Sequence, residues 1–250
     1  MSETLTREEF ASFLWDNGVN LPFPLRLGPA GPVPVAPGRA FDAEVALRRR
    51  LWSPAMIRRL DGLLWVMRAP ESVAFAYVVL GEEDVAESRR VTAGIVRGND
   101  AVVVEESPEC VRLSMVPWSQ VTSAVAASVP QMLGVSLPRM FVPQEGILAM
   151  AQAAESGLSE RARERASVAA GVPAGVEARL EDLVSRSVIR GFVGAGCTVG
   201  GEQMMSPVSG DFFAAPDGGF IGWGDDSGMT VEPVSTGVLA RVLGVALSRL

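Results

Sequence analysis

The sequence predicts an α+β protein with a central antiparallel sheet, flanking helical bundles and a pseudo-twofold repeat of meander plus helix. Two stretches carry this prediction, residues 91–129 and 211–250, because each alternates short extended segments with turns and then ends in a helix. A third observation is a strand shortly before the first of these stretches that is apolar on both faces, as expected at the centre of a covered sheet.

The composition argues against several classes of function. The chain has 250 residues, a formal net charge of −7, no histidine and no lysine. Missing histidine removes the usual general base near neutral pH, and missing lysine removes Schiff-base and P-loop chemistry. The negative charge argues against nucleic-acid binding, which needs a basic surface. We therefore expect no enzyme activity, no cofactor, no metal and no nucleic-acid partner.

We expect neither a targeting segment nor a membrane-spanning segment in this sequence. It begins Met1-Ser2-Glu3, and no apolar run approaches the roughly 18 residues of a membrane span. Cys110 and Cys197 lie in strand-like apolar runs, which favours two reduced, buried thiols. These observations predict a cytoplasmic protein without membrane insertion.

Residues 1–40 are predicted to form an N-terminal helix and a proline-rich lead. Thr6 and Glu9 match a capping box, in which each side chain accepts a hydrogen bond from the backbone of the other residue. Six prolines from Pro22 to Pro37 exclude a helix and favour an extended surface connector, with a ligand for a proline-binding domain as the alternative.

Residues 41–130 are predicted to be the first α+β half. Helices are expected at Phe41–Leu51 and from Pro54 to a stop before Pro70. Ser72–Leu80 follows as the strand that is apolar on both faces. The chain then enters a long acidic loop at residues 81–90.

This loop is the first candidate for partner contact. The residues of this loop that we expect to contact a partner are Glu82, Glu83, Asp84 and Val85. The carboxylates lack the spacing of a calcium loop. Long loops on rigid sheets often carry binding, so protein contact is the function that we expect here.

The first meander is predicted from alternation and turn residues. The first strand is indicated by alternating apolar residues, Val91, Ala93 and Ile95. Gly98-Asn99-Asp100 forms a turn, and residues 101–104 form the next strand. A third strand spans residues 110–116, and Pro117 opens a helix that carries valines on one side.

Residues 131–250 are predicted to contain a helical segment and the second α+β half. The stretch from Pro130 to Pro143 is expected to be irregular and apolar. Its candidate contact residues are Met132, Leu133, Met140 and Phe141. Methionines suit an adaptable partner surface, although core packing is the commoner explanation. Three helices are expected to follow, at residues 144–154, 159–170 and 174–184.

The C-terminal stretch repeats the pattern of the first half. A strand is predicted at residues 188–193, and the glycines after it lack the spacing of a dinucleotide fingerprint. Strands at residues 211–215, 220–223 and 229–232 form the second meander, and Pro233 precedes a helix with a continuous apolar stripe.

Three features of this pattern resemble the EspG family, the cytosolic chaperones of actinobacterial type VII (ESX) secretion. They are the stretch Arg90-Val91-Thr92-Ala93-Gly94-Ile95-Val96-Arg97-Gly98-Asn99-Asp100-Ala101-Val102, the strand and helix that end at Val129-Pro130, and the closing strand-turn-strand-Pro-helix pattern of residues 217–250. The resemblance covers most of residues 40–250 and rests on overall order, since none of these is a short diagnostic signature.

The resemblance implies a protein that is not an enzyme and that keeps helical secretion substrates soluble for export. The implied partner is a PE/PPE-like heterodimer or another, WXG100-like, ESX client, bound through an exposed apolar tip. By position, the family's contact regions correspond to residues 81–90 and 132–154. The proline-rich lead departs from the family's helical start, which leaves the type of substrate open.

Two alternatives remain from the residues themselves. A carboxylate-dependent enzyme or small-ligand binder would use Asp211, Asp225 or Asp226, and would need these carboxylates to converge in a deep polar pocket. A homodimer that pairs an exposed strand or helix with a second copy would have a structural role.

Overall fold

The computed structural model describes residues 2–17, 19, 24–25, 54–81, 88–200 and 202–250. These residues form ten strands and seven α-helices. The proline-rich lead, the helix expected at residues 41–51 and the loop residues 82–87 lie outside the described residues, apart from Pro24 and Leu25. Within the described helices, none has both the length and the apolar character that a bilayer crossing requires.

The ten strands form one sheet. Their bounds are β1 Ser2–Leu5, β2 Ser72–Leu80, β3 Arg89–Arg97, β4 Asp100–Glu106, β5 Val111–Pro117, β6 Met140–Pro143, β7 Ile189–Val199, β8 Glu202–Ala215, β9 Gly218–Asp225 and β10 Gly228–Pro233. Their order in the sheet is β1-β5-β4-β3-β2-β7-β8-β9-β10-β6, and all neighbouring pairs are antiparallel. The predicted central antiparallel sheet is confirmed.

The α-helices are distributed over both halves of the chain. Their bounds are α1 Arg7–Asp16, α2 Pro54–Arg68, α3 Val121–Ser128, α4 Gln144–Glu155, α5 Glu160–Ala169, α6 Val176–Ser185 and α7 Thr236–Ser248. A 3₁₀ turn, Trp118–Gln120, joins β5 to α3. The N-cap of the thirteen-residue α7 is Ser235, whose hydroxyl accepts a hydrogen bond from the amide of Val238 at 3.2 Å.

The predicted pseudo-twofold repeat is visible in the strand order. One meander, β2 to β5, runs outward from the centre and ends in α3, and the other, β7 to β10, runs outward on the other side and ends in α7. The two meanders join where β2 pairs with β7, from Ser72 opposite Cys197 to Leu80 opposite Ile189. As predicted, β2 is central and covered on both faces, because Phe75 and Ala74 on opposite faces are both fully buried.

Helices cover the sheet in three groups. The described parts of α1 and α2 pack on one face of the first half, where Phe13, Leu63 and Ile95 belong to one core cluster. On the opposite face, α3 and α7 pack against each other and against the centre of the sheet. There α3 lies so close to β3 that a Cβ added at Gly94 would sit 3.0 Å from Val125 Cγ2 and closer still to Val121.

The third group, α4 to α6, covers the second half of the sheet. It packs on the same sheet face as α1 and α2, over side chains of β6, β9 and β10. One crossing is especially close, because a Cβ added at Gly146 of α4 would lie 2.9 Å from Ala170 Cβ at the end of α5. This group forms the walls of the candidate site.

Local predictions near the N-terminus are confirmed where they are described. The Glu9 carboxylate accepts a hydrogen bond from the Thr6 amide at 2.8 Å, and the Thr6 hydroxyl accepts one from the Glu9 amide at 3.1 Å. The two cysteines differ from expectation, since both thiols are free but only half-buried. Cys110 immediately precedes β5, and Cys197 is the last β7 residue that pairs with β2.

Three stretches of strand differ from the sequence-based expectation. The stretch expected to be irregular contains β6, a four-residue edge strand that pairs with β10. Residues 2–5 form the other edge strand, β1, which pairs with β5. Strands β7 and β8 also continue past their sheet neighbours as a two-stranded arm, described at residues 198–200 and 202–208, after an irregularity in pairing between Gly194 and Gly196.

Candidate partner-binding surface

An open apolar groove lies between the third helix group and the edge of the sheet. Its volume is about 440 Å³. The floor comes from β6 and β10, where Met140 lies opposite Val231 and Val142 lies opposite Met229. The other lining residues are Ile147, Met150, Val172, Glu177, Leu180, Glu181, Val184 and Ser185. The groove is apolar at its base and carries its polar groups along α6.

The local sequence explains how the floor and the walls meet. Alternation along β6 turns Met140 and Val142 toward the helices and Phe141 toward the opposite face of the sheet. Pro143 then occupies the N-cap position of α4, so the edge strand passes directly into the first wall. The second wall is α6, which begins after Gly175 in a left-handed conformation, with φ of 76°.

The exposure of α6 explains why the groove is open to solvent. Leu183 and Val176 face the core and are buried. Leu180 is half-buried, and Val184 is 37% exposed at the rim. The apolar stripe of α6 is therefore wider than the part of the helix that contacts the core. The remaining apolar residues, Leu180 and Val184, line the groove.

A second, polar cleft lies on the other side of α6, between α5 and α6. Its volume is about 230 Å³. Glu177 and Glu181 line both this cleft and the apolar groove. The Ser167 hydroxyl donates a hydrogen bond to Glu177, and Arg163 Nη1 lies 3.6 Å from Glu181 Oε1. The groove therefore has one acidic border.

The contact residues predicted in the segment from Met132 to Phe141 are divided between different surroundings. Met140 lies in the groove floor. Met132 packs against the cluster formed by α3 and α7. Leu133 is 72% exposed, and Phe141 is 54% exposed on the sheet face opposite the groove. The structure brings Met140 into the groove and places the other three outside it.

The other predicted contact region, Glu82, Glu83, Asp84 and Val85, lies outside the described residues. The residue before it is described, and its position is informative. The amide of Gly81 donates a hydrogen bond to the carbonyl of Val188 at 2.9 Å, three residues after the end of α6. The predicted loop therefore begins next to the C-terminal end of the groove wall.

Sequence reasoning missed the contributions of α6 and β10 to the groove. These are Glu177, Leu180, Glu181, Val184, Ser185, Met229 and Val231. The only available signal is the spacing of Val176, Leu180, Leu183 and Val184, which makes an apolar stripe too wide for a short solvated helix. For β10, the alternation of apolar residues predicts which side chains face the helices. It does not predict that the space above those side chains is open to solvent.

The carboxylates considered for chemistry do not form a common pocket with the groove. Asp211 lies on β8 opposite Gly222 of β9, and burial raises the pKa of its carboxyl. Asp225 accepts hydrogen bonds from the Ser227 hydroxyl at 2.6 Å and the Ser227 amide at 2.9 Å, which lower its pKa. These bonds assign Asp225 to the turn before β10, next to the exposed Asp226. Across the described ranges, no three His, Cys, Asp or Glu side chains group as a metal site requires.

A scan against protein-family models finds no match for this chain, and a search of curated protein sequences finds none. Among solved structures, the chain is similar to the Mycobacterium tuberculosis type VII secretion system chaperone EspG5, whose structure was determined in complex with a PE25-PPE41 dimer. The similarity has a TM-score of 0.76 and covers 100% of this chain and 97% of EspG5, at 16% sequence identity. The EspG-like fold expected from the sequence pattern is therefore confirmed, and the chain has the fold of EspG5.

Proposed function

We propose that this protein is a chaperone that binds a helical type VII secretion substrate and keeps it soluble for export. The observation that carries the proposal is the full-length structural similarity to EspG5, a chaperone of that system seen with a PE25-PPE41 dimer. By analogy with that complex, the partner is a PE/PPE-like heterodimer, with a WXG100-like client as the alternative. The proposal places the protein in the cytoplasm and gives it no catalytic role.

The apolar groove supports this function because of its size and chemistry. A volume of about 440 Å³ accommodates several apolar side chains of a partner. Three methionines, Met140, Met150 and Met229, line it, and their flexible thioethers adapt to differently shaped apolar surfaces. Burying a client's apolar tip there removes the surface that would otherwise drive its aggregation.

We further propose that the client extends beyond the groove to the predicted contact residues. Gly81, the described residue before Glu82, Glu83, Asp84 and Val85, bonds to Val188 near the end of α6, and this supports contact between the client and these four residues. Phe141 and Leu133 lie outside the groove, and they would contact a client that wraps around the edge strand β6. Contact at these positions remains a prediction.

The test is co-expression with PE/PPE-type pairs encoded in the genome of origin. Each tagged pair is purified with this protein and analysed by size-exclusion chromatography with light scattering. We expect one stoichiometric complex, and loss of soluble client when the protein is omitted. No complex with any pair, together with a stable dimer of the protein alone, would favour the homodimer alternative.

Substitutions locate the binding surface. Val184→Asp places a carboxylate at the groove rim without disturbing the core, and we expect it to abolish the complex because the charge would be desolvated on binding. Met140→Asp and Phe141→Asp test the floor and the opposite face. Val199→Asp, at an exposed valine on the remote arm, is the matched control. Equal binding by the Val184→Asp and Val199→Asp variants would contradict the assignment of the groove.

A further inference from the structure

One border of the apolar groove is strongly acidic, and this border is shared with the polar cleft between α5 and α6. Four carboxylates line that cleft, from Glu160 and Glu164 on α5 and from Glu177 and Glu181 on α6. We call these four residues the acidic wall. Because Glu177 and Glu181 also line the groove, the wall stands directly beside the apolar surface that a partner would cover.

The acidic wall is only partly neutralised within the protein. Among the described residues that line the cleft, Arg163 is the one basic side chain, and it approaches Glu181 at 3.6 Å. Counted over the cleft lining alone, four carboxylates against one guanidinium give a formal charge of −3, and the other arginines of the two helices, Arg161, Arg165 and Arg179, lie outside that lining. Glu177 accepts a hydrogen bond from the neutral Ser167 hydroxyl, which does not change that balance.

The side chains on the outer part of the acidic wall have no bonding partner among the residues that the structure describes. Glu160 and Glu164 are exposed and form no hydrogen bond or ion pair with the described part of the chain. Like charges at i and i+4 on one helix are also mildly destabilising. Both carboxylates are therefore free to act on a partner that approaches over the groove.

We propose that the acidic wall selects clients whose apolar surface is bordered by arginine or lysine side chains. This inference rests on the proposed function, because it concerns the occupant of the same groove. An amphipathic helix seated in the groove presents the residues beside its apolar stripe to the wall. Basic residues there gain attraction, whereas acidic residues meet like charge and lose affinity.

The acidic wall also increases the association rate of a basic client. A patch of one sign next to an apolar pocket steers an oppositely charged partner during diffusion, and salt screens this steering. The groove contributes to the binding affinity of all apolar clients alike. The acidic wall makes the affinities of clients with different charges unequal. Salt dependence is thus the signature that separates the wall from the groove.

The experiment uses the full chain and three labelled synthetic helices of about 18 residues, long enough for five turns. They share one leucine stripe and carry arginine, glutamine or glutamate beside it. Binding is measured by fluorescence anisotropy at about 50 mM and about 500 mM NaCl. At low salt, we expect the arginine peptide to bind about tenfold more tightly than the glutamine peptide, since three exposed pairs contribute modestly each. The glutamate peptide should bind most weakly, and high salt should bring the three affinities together.

Two double variants test whether the effect is local. E160Q/E164Q removes two charges from the wall, and D61N/E202Q removes two exposed charges outside it, on α2 and on β8. We expect the first variant to reduce the preference for arginine at least threefold and the second to leave it unchanged. Equal affinities for the three peptides, or the same loss of preference in both variants, would overturn the inference.

The groove variant keeps this result separate from the proposed function. Val184→Asp should weaken all three peptides, whatever their charge. If it does so while the peptides bind alike, the acidic wall has no selective role and the groove still binds helices. If no peptide binds the native chain, the groove does not accept amphipathic helices and the inference about the acidic wall fails, whereas the chaperone function itself is decided by the co-expression with PE/PPE-type pairs.

Discussion

A buried carboxylate joins α7 to the sheet, and its two hydrogen bonds lead to a quantitative prediction. Glu232 of β10 is 5% exposed and accepts two hydrogen bonds. One comes from Trp223 Nε1 at 2.7 Å and the other from Arg241 Nη2 at 2.6 Å. The Arg241 side chain is 46% exposed, so the pair is buried on its acidic side only.

This asymmetry predicts unequal costs for removing the two charges. Arg241→Met leaves a buried carboxylate with the indole N–H as its remaining partner, and we expect a loss of about 2 kcal/mol in the free energy of unfolding. That figure takes the lower part of the usual range, because water replaces part of the half-exposed guanidinium. Glu232→Gln keeps an acceptor for Trp223 and releases Arg241 to solvent, at a cost of about 1 kcal/mol.

Urea unfolding followed by far-ultraviolet circular dichroism measures both losses. The double variant E232Q/R241M should be about as stable as Glu232→Gln alone, which gives a coupling energy of about 2 kcal/mol. A coupling energy near zero, or an Arg241→Met variant as stable as the native chain, would refute the reasoning. The pair would then behave as an ordinary surface ion pair.

Two further predictions concern packing and pH. Gly94→Ala should cost about 1–3 kcal/mol because the added methyl group meets Val121 and Val125 of α3, and calorimetry should show a smaller cost for this change in a Val121→Ala background. Partial burial raises the folded-state pKa of the solvent-exposed Asp211 above its unfolded value, so its ionised form destabilises the fold slightly at neutral pH, and this small penalty vanishes below both pKa values. Asp211→Asn should therefore raise the urea midpoint at about pH 7 and have no stabilising effect at about pH 3, whereas equal effects at the two pH values would contradict the assignment.

The sequence predicted best those features whose causes are local. The capping box at Thr6 and Glu9 is defined by residues three apart, and both of its hydrogen bonds are present. The meander strands β3 to β5 follow from alternation between turns, and β2 follows from apolar residues on both of its faces. In each case the stretch itself contains the pattern that determines its structure.

Prediction failed where a distant partner determines the structure. Strand β1 consists of Ser2-Glu3-Thr4-Leu5, which shows no apolar alternation, and its partner β5 is more than a hundred residues away. Strand β6 is only four residues long and ends in a proline, so it did not stand out from its irregular surroundings. Its pairing with β10 supplies what its own sequence lacks.

The candidate site was predicted only in part for a related reason. Apolar spacing predicts that Met140 and Leu180 face inward, but it does not distinguish a residue sealed in the core from one that lines an opening. That difference depends on how far α4 and α6 lie apart over the sheet. Their separation arises from tertiary packing, including the close contact of Gly146 with Ala170.

The pairing of β2 with β7 also has a consequence for how the protein folds. Strands inside each meander pair across connections of at most eight residues, the longest being residues 81–88. The β2 and β7 partners are separated by 109 residues, from 80 to 189, up to 125 residues, from 72 to 197. Closing so long a loop carries a large entropic cost before any contact forms, and topologies with many non-local contacts fold slowly. We expect each meander to form with its own helix first and the joining of the two halves to limit the folding rate.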